Sequence, residues 1–165
     1  MTQNSNKHTD VDKESLRLEY CFEKGINFKD RIIQITGTIE EGTSFDWLDA
    51  ALTEMERDSK KSITLKINSP GGSVYEALAM VDRIKDSKCH IITKCYGHAM
   101  SAAGLLLAAG DKRLMGSRAW FMYHEAQYQP PADSHSHLKD YINQMDKEEK
   151  AWARNMAEFT HQPRS

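Results

Sequence analysis

The sequence predicts an α/β fold in which mostly parallel strands are joined by crossover helices. Two observations lead to this prediction. Short segments rich in β-branched residues alternate with longer segments whose apolar residues recur at helical spacing, in the order strand, helix, strand, helix, strand, helix, strand. The chain has 165 residues, which is enough for one domain with its own hydrophobic core.

The first half of the chain carries two predicted strands and the helix between them. Residues 31–37, RIIQITG, are β-branched and end at a glycine, so they predict a strand. Residues 43–44, Thr-Ser, open a helix whose apolar residues recur at helical spacing. The next strand is predicted over residues 62–68, SITLKIN, and the breaker cluster SPGG, residues 69–72, separates it from the following helix.

The second half of the chain continues the alternation. A third strand is predicted over residues 90–96, followed by a small, apolar, buried helix over residues 101–109. A fourth strand is predicted over residues 119–123. Residues 127–137 are interpreted as a loop, and a long amphipathic helix is predicted over about residues 138–160.

Charge and hydropathy exclude several classes of protein. The net charge is −2 and both signs are mixed along the chain, unlike the basic stripe of a nucleic-acid binder. No apolar run approaches the ~20 residues that span a bilayer, and residues 1–15 lack the plan of a secretory signal. We therefore expect a cytoplasmic protein without nucleic-acid or membrane partners. Residues 1–27 are polar and are expected to form a flexible arm before a domain over residues 28–165.

Cysteine and histidine patterns give no strong sign of a disulfide or a metal. Cys21, Cys89 and Cys95 form no CxxC pair, and the last two lie about 20 Å apart on one predicted strand, so small buried core residues are the favoured interpretation. His135 and His137 could bind a metal, but no third ligand stands nearby in sequence. We expect no metal site, and a solvated loop is the simpler interpretation.

The turn GHAMSAAG, residues 97–104, is the first segment that could carry chemistry. A strand ends, a glycine permits a tight turn, and Ser101 stands just before small residues that open a helix. This arrangement places the serine near the positive end of the helix. Ala103 stands where the G-x-S-x-G elbow has its second glycine, so the turn is not that of an α/β-hydrolase. Taken alone, a serine in such a turn is more often structural.

Two further segments have a chemical and a structural interpretation. In NSPGGS, residues 68–73, two glycines before a helix let backbone N–H groups point at a developing negative charge, although a simple strand-to-helix turn would look the same. His124 ends an apolar strand, where it could be a satisfied core histidine or a base at the edge of the sheet. Neither segment decides the function by itself.

In this order, the segments INSPGGS, GHAMSAAGLLLAAG and FMYHEA closely resemble the proteolytic subunit of the Clp proteases. The resemblance extends over about residues 30–160. It implies a Clp/crotonase-like spiral of β-α units with mostly parallel strands. It also implies that the long helix, about residues 138–160, protrudes as a handle that joins two rings face to face.

The resemblance implies a role for each site residue. Ser101 would be the nucleophile and His124 the general base, and the N–H groups of Gly72 and Ala102 would form the oxyanion hole. The implied activity is that of a serine endopeptidase that hydrolyses unfolded chains through an acyl-enzyme, with no metal or organic cofactor. The implied partners are other copies of the chain, in stacked heptameric rings, and an AAA+ ATPase unfoldase.

One departure from the family concerns the acid of the catalytic triad. The family's aspartate follows the handle helix, and its spacing falls beyond the last residue, so the chain resembles a member that lacks its C-terminal segment. Asp133, Asp140 and Asp146 lie in the predicted loop or handle. Glu125 is adjacent to His124, and neighbouring strand residues face opposite ways. None of these is a good candidate for the acid.

Three functions remain open at this point. Retention of Ser101 and His124 favours an active peptidase. A non-catalytic Clp-like subunit, which regulates or co-assembles with an active homologue, is favoured by the missing acid and by residues 1–27, which match the family's pore-lining arm poorly. A crotonase-type acyl-CoA enzyme would share the fold and a two-donor oxyanion hole, but it would not need the serine–histidine pair.

Overall fold

The computed structural model describes residues 23–125 and 135–161, together with positions 15 and 19. These residues include a six-stranded sheet. The strands are β1 (Ile26–Asn27), β2 (Ile32–Ile39), β3 (Ile63–Gly72), β4 (Ile91–Met100), β5 (Lys112–Met115) and β6 (Trp120–Met122). The helices with defined bounds are α1 (Ser44–Asp58), α2 (Val74–Lys85), α3 (Ala102–Ala109) and α4 (His135–Thr160).

The sheet is mostly parallel. Its strands lie in the order β1-β2-β3-β4-β5, and β6 pairs with β4. Strand β1 runs antiparallel to β2, whereas every other pairing within the described residues is parallel. Parallel neighbours need crossover connections, and α1, α2 and α3 supply them. The predicted α/β class with mostly parallel strands is confirmed.

The described helices cover one face of the sheet. Along β3, Ile63, Leu65 and Ile67 are buried, while Thr64 and Lys66 between them are partly exposed. The core lies between the buried face and the helices, whose apolar residues belong to the same cluster. Alternating strand residues and helical spacing therefore put the apolar side chains where the sequence patterns predict them.

Strand β3 is longer than predicted. The cluster SPGG was expected to end the strand, but β3 continues to Gly72, which pairs with Ile39 of β2. The pairing with β4 shifts register between Ile67 and Ser69. Gly71 and Gly72 have φ angles of +96° and +151°, which only glycine adopts readily, so the chain bends without leaving the sheet.

Strand β4 also runs past its predicted end at residue 96. It passes through Gly97, with φ of +76°, and continues to Met100. The added residues pair with β6, in the register His98 with Trp120 and Met100 with Met122. The glycine was expected to break the strand, but long-range pairing keeps it extended.

Two elements of the second half differ from the prediction in detail. Strand β5 was not predicted, because its four residues are all exposed and show no apolar alternation. Strand β6 lies within the predicted strand at residues 119–123. Helix α4 begins at His135, so residues 135–137 belong to its first turn and not to the predicted loop. Residues 127–134 of that loop lie outside the described part.

The last residues of the predicted N-terminal arm belong to the sheet. Ile26 is buried and pairs with Ile33 of β2, so folded structure begins before residue 28. Most of residues 1–22, including Cys21, lie outside the described part of the chain.

A charged network joins α1 to α2. The Arg83 guanidinium bonds both carboxylate oxygens of Glu56, at 3.1 and 3.2 Å, and also contacts Asp49. Ser87 and the backbone N–H of Lys88 donate to the same Glu56 carboxylate. Burial raises the pKa of Glu56, but these hydrogen bonds and the charge of Arg83 outweigh it, so the net pKa is lowered.

We expect Glu56→Gln to lower the free energy of unfolding by about 2 kcal/mol at pH 7, because it leaves Arg83 and the Lys88 N–H poorly paired. A lowered folded-state pKa contributes stability that is complete above the unfolded value near 4.5 and disappears as the pH falls through the folded-state pKa. Urea unfolding at pH 7 and below pH 4 should therefore show that the difference in unfolding free energy between the unchanged chain and Glu56→Gln becomes smaller in acid.

The matched control is Glu54→Gln, two residues earlier on α1. Glu54 pairs with Arg57 at 3.4 Å, and both side chains are exposed. We expect its loss to cost less than about 0.5 kcal/mol at either pH. Equal effects of the two substitutions would contradict the assignment of stability to the Glu56–Arg83 pair.

Candidate active site

Ser101 occupies a strained turn between β4 and α3. Its φ and ψ angles are +52° and −126°, a conformation that costs a non-glycine residue energy and that clusters at functional sites. Its N–H donates to the carbonyl oxygen of Met122 on β6 at 2.8 Å. The side chain is half-buried, and its hydroxyl is not used to cap α3. The hydroxyl is therefore held at the sheet edge without a structural task in the helix.

Small residues allow the chain to pack tightly after this turn. Ala102, Ala103 and Gly104 are buried, and all of α3 is buried with them. A Cβ on Gly104 would lie 3.1 Å from the ring of Phe121 on β6. The small apolar residues that followed Ser101 in the sequence therefore let β6 approach the start of α3.

Gly71 touches the serine turn directly. A Cβ on this residue would lie 2.6 Å from the carbonyl oxygen of Met100, 2.8 Å from Cβ of Ser101 and 2.9 Å from the nitrogen of Ala102. Real side chains do not approach so closely. The position therefore requires glycine for space as well as for its φ angle.

Gly72 is restricted from the other side. A Cβ there would collide with the backbone oxygen of Ile39 on β2. The next N–H, that of Ser73, donates to the same Ile39 oxygen at 2.9 Å. The Ser73 hydroxyl then caps α2 by accepting from the N–H of Glu76. The glycine pair is thus held between β2 and the serine turn, at the start of a helix.

Two polar residues before the glycines hold this loop in place. The N–H of Gly71 donates to the hydroxyl of Ser69 at 3.1 Å, and Ser69 is fully buried. The side-chain oxygen of Asn68 accepts from the backbone N–H of His98 at 3.3 Å. The sequence pattern predicts no separate role for either residue. Their position directly before the glycine pair is the one feature of the sequence that points to them.

His124 follows β6 at the same edge of the sheet. Strand β6 ends at Met122, which pairs with Met100 at the end of β4. Ser101 is thus one residue past the end of β4, and His124 is two residues past the end of β6, the parallel neighbour of β4. His124 is half-buried. The structure brings Ser101 and Ala102 into contact with Gly71, the neighbour of the predicted donor Gly72, and His124 lies two residues beyond the Ser101–Met122 hydrogen bond.

No carboxylate is hydrogen-bonded to His124 in the described part of the chain. Glu125, Asp140 and Asp146 are exposed, and Asp133 lies outside the described residues. Among those residues no side chain makes a hydrogen bond to the imidazole.

An aromatic contact beside His124 was not foreseen. Tyr123 stacks on Trp152 of α4, with ring centroids 5.7 Å apart and planes inclined by 16°. Partial burial raises the pKa of Tyr123, and the charge of Glu149 adds to the rise. The indole N–H of Trp152 lowers the pKa of Tyr123 and so opposes this rise. The same N–H makes no hydrogen bond of normal geometry within the described residues. The separation of 29 residues left no local pattern from which to predict this pair.

The remaining candidates do not add a second site. Cys89 and Cys95 are buried, free thiols, and burial raises the pKa of Cys95. In residues 23–125 and 135–161 no group of histidine, cysteine or acidic residues could hold a metal ion. No helix within the same ranges is both long and apolar enough to cross a membrane.

Comparison with known proteins identifies the family. A model of the Clp protease family matches residues 22–165. The chain is 36% identical over 121 residues to a protein from Carsonella ruddii (strain PV) named "ATP-dependent Clp protease proteolytic subunit". The match covers 70% of this chain and 61% of that relative, so it spans about three-fifths of the relative's length. Because the family match covers most of the residues, including the serine turn, the glycine pair and the histidine, the chain belongs to the Clp protease family.

Proposed function

We propose that this chain is a serine endopeptidase subunit of the Clp type, which hydrolyses peptide bonds of unfolded chains through an acyl-enzyme on Ser101. The single observation that carries the proposal is the contact between Gly71 and residues 100–102, where a serine of strained conformation lies against the first residue of the glycine pair. A purely structural turn would not need a hydroxyl that is free of a capping role.

Acylation of Ser101 would begin with attack of its Oγ on the carbonyl carbon of the scissile peptide bond. His124 would accept the hydroxyl proton as the C–O bond forms. The tetrahedral intermediate would then collapse, with the C–N bond breaking as His124 returns the proton to the departing amine. Water would attack the resulting ester by the same steps, releasing the acid product and Ser101.

The backbone supports an oxyanion site beside the nucleophile. The N–H of Ala102 is the first of α3, and the first N–H groups of a helix have no intrahelical acceptor. The N–H of Ser73 is directed to β2. Since successive N–H groups of an extended segment point to opposite neighbours, we expect that of Gly72 to face the β4 side, where Ser101 lies. Two donors of this kind would stabilise the developing negative charge.

The alternative function is that of a non-catalytic Clp-like subunit. The observation that favours it is the lack of a carboxylate bonded to His124 among the described residues. An acid in this place holds the correct tautomer of the imidazole, and its loss typically lowers kcat by about 10⁴-fold. Catalysis by Ser101 and His124 alone, even at this lower rate, would distinguish an active peptidase from a non-catalytic subunit.

We further propose assembly into stacked heptameric rings in the cytoplasm, with an AAA+ ATPase unfoldase as partner. Large apolar side chains on β5, β6 and α4 support an interface between copies, since Trp120 is 72% exposed and Ile142 is 59% exposed. The partner would hydrolyse the ATP and deliver unfolded polypeptide. Neither nucleic acid nor a membrane is required.

We expect a fluorophosphonate probe to label the 165-residue chain at Ser101, because the probe reacts with serines that a neighbouring base activates. Ser101→Ala should abolish the labelling, while Ser117→Ala, which removes another serine of the same half of the chain, should not. Mass spectrometry of the labelled peptide checks the position.

The same measurement on a version extended by the C-terminal segment of the Carsonella relative separates the two functions. Labelling of both versions supports the peptidase. Labelling of the extended version alone would mean that an orienting group must be supplied from that segment. If both are folded and neither is labelled, the peptidase proposal is wrong and the non-catalytic subunit is favoured.

We expect Gly71→Ala to slow labelling of Ser101 by about 10²-fold, because the new methyl group must displace the backbone at Met100 and Ala102. Gly42→Ala is the control. Gly42 also has a positive φ, +75°, but a Cβ there would meet nothing within 4 Å. Both variants bear the conformational cost of alanine at positive φ, about 1 kcal/mol, and only Gly71→Ala should change the labelling rate. Similar rates in the two variants would contradict the role of the glycine contact.

A further inference from the structure

The described residues leave the position of His124 weakly determined by hydrogen bonds. Its strand ends at Met122, two residues earlier, where the carbonyl oxygen accepts from Ser101. Within residues 23–125 and 135–161 nothing bonds the imidazole itself. A general base must be held within hydrogen-bond reach of its proton donor, so another contact has to fix this segment.

The adjacent residue makes such a contact. Tyr123 stacks on Trp152 of α4 at a centroid distance of 5.7 Å. Trp152 is only 3% exposed and belongs to the core, so its ring is a fixed surface. Because one peptide unit joins Tyr123 to His124, a displacement of the tyrosine ring moves the backbone that carries the imidazole.

Helix α4 is itself attached to the domain at two other places. The hydroxyl of Tyr75 on α2 donates to Glu148 of α4 at 2.9 Å. Phe159, near the other end of α4, is 8% exposed, and the Lys85 ammonium lies 4.6 Å from its ring centroid. Trp152 therefore lies on a helix that contacts α2 on both sides of it, which makes the stack a defined anchor.

We infer that Tyr123 and Trp152 are positioning residues for His124, and that their stacked rings set the place of the imidazole relative to Ser101. The predicted effect on the reaction rate rests on the proposed function. The predicted effect on the surroundings of the His124 imidazole does not, and it can be measured separately. Neither ring is required to touch the substrate.

The test compares Tyr123→Leu, Trp152→Leu and the double variant in the second-order rate of fluorophosphonate labelling. Each single substitution should slow labelling by about tenfold, the upper range of an aromatic pair's contribution. The double variant should be no slower than either single, because the two rings act through one contact. Tyr123→Phe and Trp152→Phe, which keep the rings, should remain within about threefold of the unchanged chain.

Phe159→Leu is the matched control, since it removes a buried ring of α4 other than the one stacked on Tyr123, keeps an apolar side chain there, and leaves the Tyr75–Glu148 hydrogen bond to attach the helix to α2. It should lower the unfolding temperature as Trp152→Leu does but change labelling by less than about twofold. Equal slowing by Phe159→Leu and Trp152→Leu would overturn the inference, as would a double variant about a hundredfold slower, which would show that the rings act independently.

The second readout is the NMR resonances of the His124 imidazole at a fixed pH. Trp152→Leu should shift these resonances, and Phe159→Leu should not. If the unchanged chain is not labelled, this NMR comparison alone decides the inference, whereas the proposed function fails only if the extended version is not labelled either. Unchanged His124 imidazole resonances in folded Trp152→Leu would overturn the inference.

Discussion

The close approach of the Gly71 backbone to residues 100–102 is the constraint on which the site depends. The contact leaves no space for a side chain, and it joins the end of β3 to the turn after β4. The register shift between Ile67 and Ser69 brings the two segments to the same level of the sheet. The buried Ser69 hydroxyl then holds the N–H of Gly71, so the bend is fixed by a polar contact as well as by packing.

The parallel sheet explains why the other residues meet at this edge. In a parallel sheet the carboxyl ends of the strands lie together, and ligand sites of α/β proteins commonly form beyond them. Ser101 follows β4, the glycine pair ends β3, and His124 follows β6. Each residue comes from a different part of the sequence, and the β2–β3–β4–β6 order places them side by side.

Much of this arrangement could be predicted because its signals are local. Helix α1 begins at Ser44 as expected, and Leu48, Leu52 and Met55 are buried as their spacing predicts. The sequence did not reveal the extensions of β3 and β4 through glycines, because a glycine that breaks one strand and a glycine that bends another look alike. Strand β5 was missed since its residues are exposed. The Tyr123–Trp152 stack depends on where α4 lies, which no local pattern encodes.

The hydrogen bond from Ser101 to Met122 has a consequence for how the chain matures. Ser101 contacts Gly71 thirty residues earlier and Met122 twenty-one residues later, and α3 is apolar on every side and cannot persist alone in water. The geometry of the Ser101 turn therefore arises only when these long-range contacts form, and contacts between residues so far apart in sequence slow folding. A copy in which these contacts have not formed holds neither Ser101 nor Gly71 in this arrangement, so the candidate site exists only in the folded domain.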